Sequence, residues 1–313
     1  MDAKSTAFLF PGQGSQSVGM GFSLAQAYEK ARLIFSESDE WIGFPLSKIA
    51  WEGSEEILND TINTQPALLV HSIAAWEVFN ENFPGFRPTY VAGHSMGELS
   101  ALVASGTLAF KEAFSLVRRR GELMKRSGEI SPGGMAAVLG MGIAELEQVC
   151  SDACRGEEIV QVANDNCPGQ VVISGSSQAL ERAMQLAQEH GARRVRRLAV
   201  SIAAHSPLMA TAQDDFNLAV NHSPFVEPLI PLVGNVTARP LTTRDDIRAD
   251  LQLQLTSRVR WTESIQMMAA SGVKTFIEIG SGNVLTGLLK RILPEAEAYS
   301  IGNPEDFEQL SWL

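Results

Sequence analysis

Long hydrophobic runs are missing from this sequence. The best candidate, Pro66 to Phe79, is interrupted by His71, Ser72 and Glu77, so it falls short of the ~18–20 apolar residues that a membrane-spanning helix needs. The first residues carry no basic segment followed by an apolar core, and no secretory signal is expected. Cysteine is scarce. Cys150, Cys154 and Cys167 cannot all pair and lack metal-ligand spacing, and the four-residue interval between the first two reads as packing on a helix. Basic residues number 25 against 36 acidic ones, a net charge of −11 that argues against general nucleic-acid binding. P-loop and HExxH zinc patterns are also missing. The expectation is a reduced, soluble, cytoplasmic protein with no resident metal or cofactor. What is present, 313 residues of which 45% are hydrophobic, can build a large core in one large domain or two and excludes a disordered chain.

Strand, glycine turn and helix alternate along most of the chain. Thr6–Phe10 reads as a strand, followed by the loop Pro11-Gly-Gln-Gly-Ser-Gln16 and helical sequence from Gly21 to about Ser38. Thr64–Asn82 predicts a buried helix with Pro66 near its first turn. Tyr90–Ala92 predicts a strand that leads into Gly93-His-Ser-Met-Gly97 and a helix to about Ser105. Lys111–Arg126 is amphipathic, and Val273–Ile279 reads as a buried strand before Gly280-Ser-Gly282 and a helix to Leu293. This alternation predicts an α/β protein with a mainly parallel sheet. Between Ser131 and Ala199 the order changes to βαββαβ, the ferredoxin-like unit. The expected organisation is a discontinuous, hydrolase-like α/β domain (residues 1–131 and 199–313) carrying an inserted ferredoxin-like subdomain (residues 132–198).

Gly93-His94-Ser95-Met96-Gly97 matches the G-x-S-x-G nucleophile elbow, with a strand before it and a helix after it as that motif requires. Glycines there avoid collisions on a tight turn. The serine oxygen then projects at a helix N-terminus, where free N–H groups favour a developing oxyanion. A serine nucleophile needs a base, and five histidines are available. His71 reads as a core residue, His190 as a helix end, and His222 as part of a polar loop. His94 adjoins the serine on a turn, where neighbouring side chains diverge. His205 is the candidate, because it follows the strand-like Leu198–Ala204 and precedes Ser206-Pro207, a helix cap and first-turn proline. Arg120 shares a stripe with Ala113, Leu116, Val117 and Met124 at about 100° per residue, which places a cation on the buried face. An interior arginine needs an anion. Either an internal Asp or Glu supplies it, or the substrate brings a carboxylate. Further basic clusters, Arg193 to Arg197, Arg258/Arg260 and Lys290/Arg291, read either as solvated faces or as a landing site for an acidic partner.

Two glycine loops come near cofactor fingerprints and miss. Gly12-Gln-Gly14-Ser-Gln-Ser17 has serine in place of the third glycine, with no acidic residue ending a second strand about 20 positions on. Gly280-Ser-Gly282 fits less well. The motifs Phe10-Pro-Gly-Gln-Gly-Ser-Gln16, Gly93-His-Ser-Met-Gly-Glu98, Arg120-Gly121, Asn166-Cys-Pro-Gly-Gln170, His205-Ser-Pro-Leu-Met209 and Glu278-Ile-Gly-Ser-Gly282 occur in that order. Together they closely resemble the malonyl-CoA:acyl carrier protein transacylases and the related acyltransferases of polyketide synthesis, from about Thr6 to Asn303.

That resemblance implies Ser95 as nucleophile and His205 as its base. It also implies an oxyanion hole from the Gln13 and Met96 N–H groups, a malonyl carboxylate held by Arg120, and a histidine oriented by the backbone carbonyl of Gln254 instead of a triad carboxylate. It further implies malonyl transfer from malonyl-CoA to the phosphopantetheine thiol of an acyl carrier protein, for fatty-acid synthesis or, alternatively, in trans for a polyketide synthase. The partners expected are malonyl-CoA and the carrier protein, the latter docking on a basic patch, with no nucleic acid, membrane, metal or cofactor. Ile202-Ala203-Ala204 departs from the His-Ala-Phe and Tyr-Ala-Ser patterns of polyketide relatives, and Ala204 removes bulk near the acyl α-carbon. The Ser–His pair alone would also suit an acyl-thioester hydrolase, and a carrier-binding subunit without catalysis is a third possibility.

Overall fold

The computed structural model describes residues 5–310. The outermost parts of the expected catalytic segments, residues 1–4 and 311–313, lie outside the described residues. Among those described, ten strands form two sheets: β1 (Thr6–Phe10), β2 (Tyr90–Gly93), β3 (Gly133–Leu139), β4 (Val160–Cys167), β5 (Gln170–Ser176), β6 (Arg194–Arg197), β7 (Leu232–Val233), β8 (Pro240–Leu241), β9 (Thr275–Ile279) and β10 (Glu297–Ile301). The first sheet has the order β10-β9-β1-β2-β7-β8. It is parallel throughout except for the β7–β8 pair. β1 and β9 are buried along their whole length, as strands covered by helices on both faces must be.

Phe10 pairs with Gly93, and Ala92 with Val233, so β1, β2 and β7 end side by side. Open parallel sheets bind ligands beyond the carboxyl ends of their strands. That end here gathers the Pro11–Gln16 loop, the Gly93–Gly97 turn and Gly234-Asn235. The Gly280 loop after β9 is occupied from within. Glu278 accepts from the N–H groups of Leu285 (3.0 Å) and Thr286 (2.7 Å), so its carboxylate takes the N-terminus of the Val284–Ile292 helix that a phosphate would otherwise use.

The helix expected from Thr64 begins one turn earlier and runs Thr61–Asn82, capped by Asp60, which accepts from Ile62 N–H. Pro66 therefore falls inside it and cannot bond the Ile62 carbonyl four residues back. Arg118 donates to that carbonyl at 2.7 Å instead. The long helix Phe110–Ile130 crosses this one at Gly121, where a Cβ would stand 3.0 Å from the Thr61 carbonyl oxygen. The close approach seats Arg120 against Gln65.

The second sheet, β4-β5-β3-β6, is built wholly from residues 133–197 and is antiparallel. The helices Ile143–Ala153 and Ser177–Glu189 bury its Ala136, Val138 and Ile173 side in a separate apolar cluster. Cys154 Sγ lies 3.2 Å from the Cys150 carbonyl oxygen, so the four-residue spacing is helix packing, and all three cysteines are free.

Three sequence expectations need correction. The segment from Gly21 forms two helices, Phe22–Ala27 and Glu29–Ile42, because Tyr28 is extended between them. His222 is the last residue of the Ala210–His222 helix, not part of a loop. Leu198–Ala204 is not a strand. Leu198 N–H still bonds Met135, after which the chain leaves the sheet, and its alternating Val200, Ile202 and Ala204 pack on the main core. The apolar alternation there records burial against helices, not a ladder. No helix among the described residues is long and apolar enough to cross a membrane.

Candidate active site

The turn between β2 and the helix Gly97–Ala104 holds Ser95 at φ 51°, in the left-handed region that non-glycine residues seldom occupy. Such a conformation costs about 1–3 kcal/mol and persists only where its surroundings impose it. Here they do. A Cβ on Gly97 would overlap the Phe10 carbonyl oxygen, and one on Gly93 would overlap the Gly97 carbonyl group. Asn235 then pins both sides of the turn. Its Oδ1 accepts from Ser95 N–H at 2.7 Å, and its Nδ2 donates to the Gly93 carbonyl at 2.7 Å.

Ser95 Oγ lies 2.8 Å from His205 Nε2. His205 is 2% exposed and itself has φ 57°. Its Nδ1 faces the carbonyls of Gln254 (2.9 Å) and Ser257 (3.1 Å). Carbonyls only accept, so the proton sits on Nδ1 and Nε2 keeps its lone pair toward the serine. Burial, and then the Arg120 charge, push the imidazole pKa down to about 3, while the bonds to the two carbonyls pull it upward.

Arg120 is 1% exposed. Its guanidinium donates to Gln65 Oε1 (2.8 Å), Met124 Sδ (3.2 Å), Gln254 Oε1 (3.0 and 3.1 Å) and Ser95 Oγ (3.1 Å). All these acceptors are neutral, and among the described residues no carboxylate forms an ion pair with Arg120. Glu98 is reached only through Gln254, whose Nε2 donates to Glu98 Oε2. Burial and the neighbouring Asp250 carboxyl raise the Glu98 pKa well above the usual range, favouring its neutral form. Desolvation lowers the Arg120 pKa to about 10, which still leaves it charged near neutral pH. The result is a buried cation beside a hydroxyl, without a full counter-charge.

Gln13 and Met96 flank the same place. The Pro11–Gln16 loop presses on the elbow, since a Cβ on Gly12 would overlap the His94 carbonyl oxygen. Gln13 Oε1 accepts from Thr61 Oγ1 (3.1 Å), which in turn accepts from Gln65 Nε2 (2.9 Å). Met96 precedes the first turn of the Gly97–Ala104 helix. Neither the Gln13 nor the Met96 N–H donates a hydrogen bond among the described residues. His94 turns the other way, to Asn166 Oδ1 at 2.8 Å and the edge of Trp261, while His71 is a buried core residue on the Gly302 carbonyl. Asn235 and Gln65 belong to this constellation although sequence reasoning assigned them nothing. The signals were slight: a Gly-Asn pair after an apolar stretch, and an amide beside a proline at the start of a buried helix. No cluster of three or more metal-ligating side chains occurs among the described residues.

A serine on an elbow, bonded to histidine within a parallel sheet with an appended antiparallel unit, defines an acyl-transferring enzyme of hydrolase-like architecture. The sequence matches the acyl transferase domain family over residues 7–303. It is 45% identical over 302 residues to the malonyl CoA-acyl carrier protein transacylase of Bacillus subtilis, covering 96% of this chain and 95% of that one. The crystal structure of the Xanthomonas oryzae malonyl-CoA:acyl carrier protein transacylase superposes with a TM-score of 0.95 at 41% identity, covering 99% and 98% of the two chains. A malonyl-transacylase solved in complex with its type II polyketide acyl carrier protein superposes with a TM-score of 0.94 at 39% identity, covering 98% of each chain. The chain belongs to the malonyl-CoA:acyl carrier protein transacylases, within the acyl transferase domain family.

Proposed function

We propose that this chain moves a malonyl group from malonyl-CoA to the phosphopantetheine thiol of an acyl carrier protein, through a malonyl ester on Ser95, and so supplies fatty-acid synthesis. The observation that carries the reading is a convergence on one atom. Ser95 Oγ is 2.8 Å from the free nitrogen of a base and 3.1 Å from a buried guanidinium that lacks a full counter-ion.

His205 Nε2 takes the Ser95 proton as Oγ attacks the thioester carbonyl. The oxyanion forms against the unengaged N–H groups of Gln13 and Met96, a preorganised pair of donors of which either one is worth roughly 2.7–4 kcal/mol in such sites. The C–S bond breaks, and His205 returns its proton to the departing CoA sulfur. A carrier-protein thiol then repeats the sequence in reverse. Throughout, the malonyl carboxylate takes bidentate bonds from Arg120, displacing its weak contact with Met124 Sδ. Carboxylate binding also cancels the positive charge that depresses His205, so the base strengthens when the right substrate is bound. These steps use no metal or cofactor. In this reading the enzyme works in the cytoplasm, with malonyl-CoA as its acyl source.

The carrier protein docks, in this reading, on the outer edge of the antiparallel sheet. Arg258 and Arg260 are engaged with Glu147 and Glu263 at 2.6 Å, and Arg197 pairs with Glu181. Arg193, Arg194 and Arg196 are exposed and form no ion pair among the described residues. Arg194 and Arg196 border a hollow of ≈ 270 Å³ over Leu139 and Leu198, and the chain runs from Leu198 directly to His205.

The test is intact-protein mass spectrometry after brief mixing with malonyl-CoA, then a chase with holo carrier protein or with buffer. A malonyl adduct that requires Ser95 and moves to the carrier faster than to water is the expected result. Equal loss in buffer would make the enzyme a hydrolase, and no adduct at all would leave a carrier-binding subunit.

A further inference from the structure

A glutamine of the antiparallel sheet reaches into the support of the histidine. Gln161 lies on β4, at the sheet edge that faces the segment after the Arg244–Gln254 helix. Two backbone bonds hold that segment to β4: Val259 N–H donates to Ala163, and Asp165 N–H donates to Val259. Gln161 Nε2 points into the same seam and donates to the carbonyls of His205 (2.8 Å) and Thr256 (3.3 Å).

These two carbonyls belong to the two strands of chain whose relative placement sets the base. One is the backbone of His205, in its left-handed conformation at φ 57°. The other lies between Gln254 and Ser257, whose carbonyls hold His205 Nδ1. A single amide group thus ties the histidine's backbone to the peptide that fixes its ring. No other donor reaches either carbonyl among the described residues.

We propose that Gln161 is a positioning residue for the acyl-transfer reaction, holding the His205 ring on line with Ser95 Oγ by cross-linking the His205 and Thr256 carbonyls. The proposal rests on the reading of His205 as the base. Among the described residues the Gln161 side chain hydrogen-bonds only to the His205 and Thr256 carbonyls and not to Arg120 or the elbow, so its effect falls on proton transfer and not on recognition of the carboxylate. It also borders an open hollow of ≈ 410 Å³ beside Glu147, Ser151 and Arg258, which lets a different side chain stand there without disturbing the core.

Gln161→Leu shortens the side chain by one atom and removes both donors. The rate of Ser95 acylation by malonyl-CoA in a single turnover is expected to fall about tenfold, the size of one lost neutral hydrogen bond, while the KM for malonyl-CoA changes less than twofold. Gln161→Glu supplies the sharper readout. Its carboxylate repels the two carbonyls, but its protonated form donates to one of them. The ratio of its rate to the wild-type rate is therefore expected to rise several-fold as pH falls from 8 to 5. A Gln161→Leu rate within twofold of wild type, or a Gln161→Glu ratio that does not vary with pH, overturns the proposal. His205→Ala is measured alongside. If it acylates normally, the reading of the base fails; if it is inactive while both Gln161 variants behave as wild type, only the positioning role fails. Thermal melts of each variant identify any that does not fold, and either Gln161 variant alone decides the outcome.

Discussion

Replacing Arg120 by methionine keeps an unbranched side chain in the buried helix stripe and removes the charge. In the wild type that guanidinium is 1% exposed and bonded only to neutral groups, so under the proposed clamp a substrate carboxylate would be its first ionic partner. Removing one member of a buried, hydrogen-bonded charge pair costs about 2–5 kcal/mol. That corresponds to a loss of about thirtyfold at the lower limit and several thousandfold at the upper in kcat/KM for malonyl-CoA. Acetyl-CoA carries no carboxylate and loses none of this. Both substrates share the loss of the Arg120–Ser95 contact, so the malonyl-to-acetyl ratio isolates the clamp. Acylation of Ser95 by each thioester, followed by quenched mixing and intact mass on wild type and Arg120→Met, gives that ratio directly. A ratio that shifts by less than about threefold would refute the carboxylate clamp, whatever the absolute rates. The same variant removes the charge that helps depress His205, which links this experiment to the pH dependence.

Because His205 must be neutral to accept a proton, its lowered pKa of about 3 predicts that kcat/KM persists as pH falls from 7 to 5. The acid limb should lie well below the ordinary histidine value of about 6.5, and should move up in Arg120→Met and in kcat, where bound malonyl cancels the charge. A half-maximum at or above pH 6.5 in the kcat/KM profile would contradict this. Reversing charge at Arg194 and Arg196 to Glu should raise the KM for the carrier protein about tenfold or more and leave acylation by malonyl-CoA unchanged; an unchanged carrier KM would move the docking site elsewhere. Gly97→Ala, whose Cβ would overlap the Phe10 carbonyl, should destabilise by about 3 kcal/mol or more in urea titration. Gly287→Ala has nothing within 4 Å of its Cβ in an exposed helical turn and should stabilise by about 0.5–1 kcal/mol.

Much of this architecture is written in local chemistry. Thr6–Phe10 is a strand because five consecutive residues suited to burial end at a Pro-Gly turn. The elbow is recognisable because only glycine tolerates positions 93 and 97, where carbonyl groups leave no room for a Cβ. The βαββαβ order follows from periods of 2 and 3.6 that alternate cleanly between residues 133 and 197. Arg120 is legible as buried from its place in a stripe, although a stripe could not say that its neighbours would be amides and a thioether.

What the sequence determined by itself was the elbow, the alternation of elements and the cation on a buried face, since each depends on neighbours within a turn or two. The tertiary structure decided the rest. Ser95 and His205 are 110 residues apart, Arg120 and Gln254 are 134 apart, and Asn235 reaches back 140 residues to Ser95. No periodicity encodes such pairs. They arise because parallel strands with crossover helices bring distant loops to one sheet end, and because two helices crossing at Gly121 set a guanidinium beside that end. Leu198–Ala204 shows the converse: its alternation was visible, but whether it met a strand or a helical core was decided only by what packed against it.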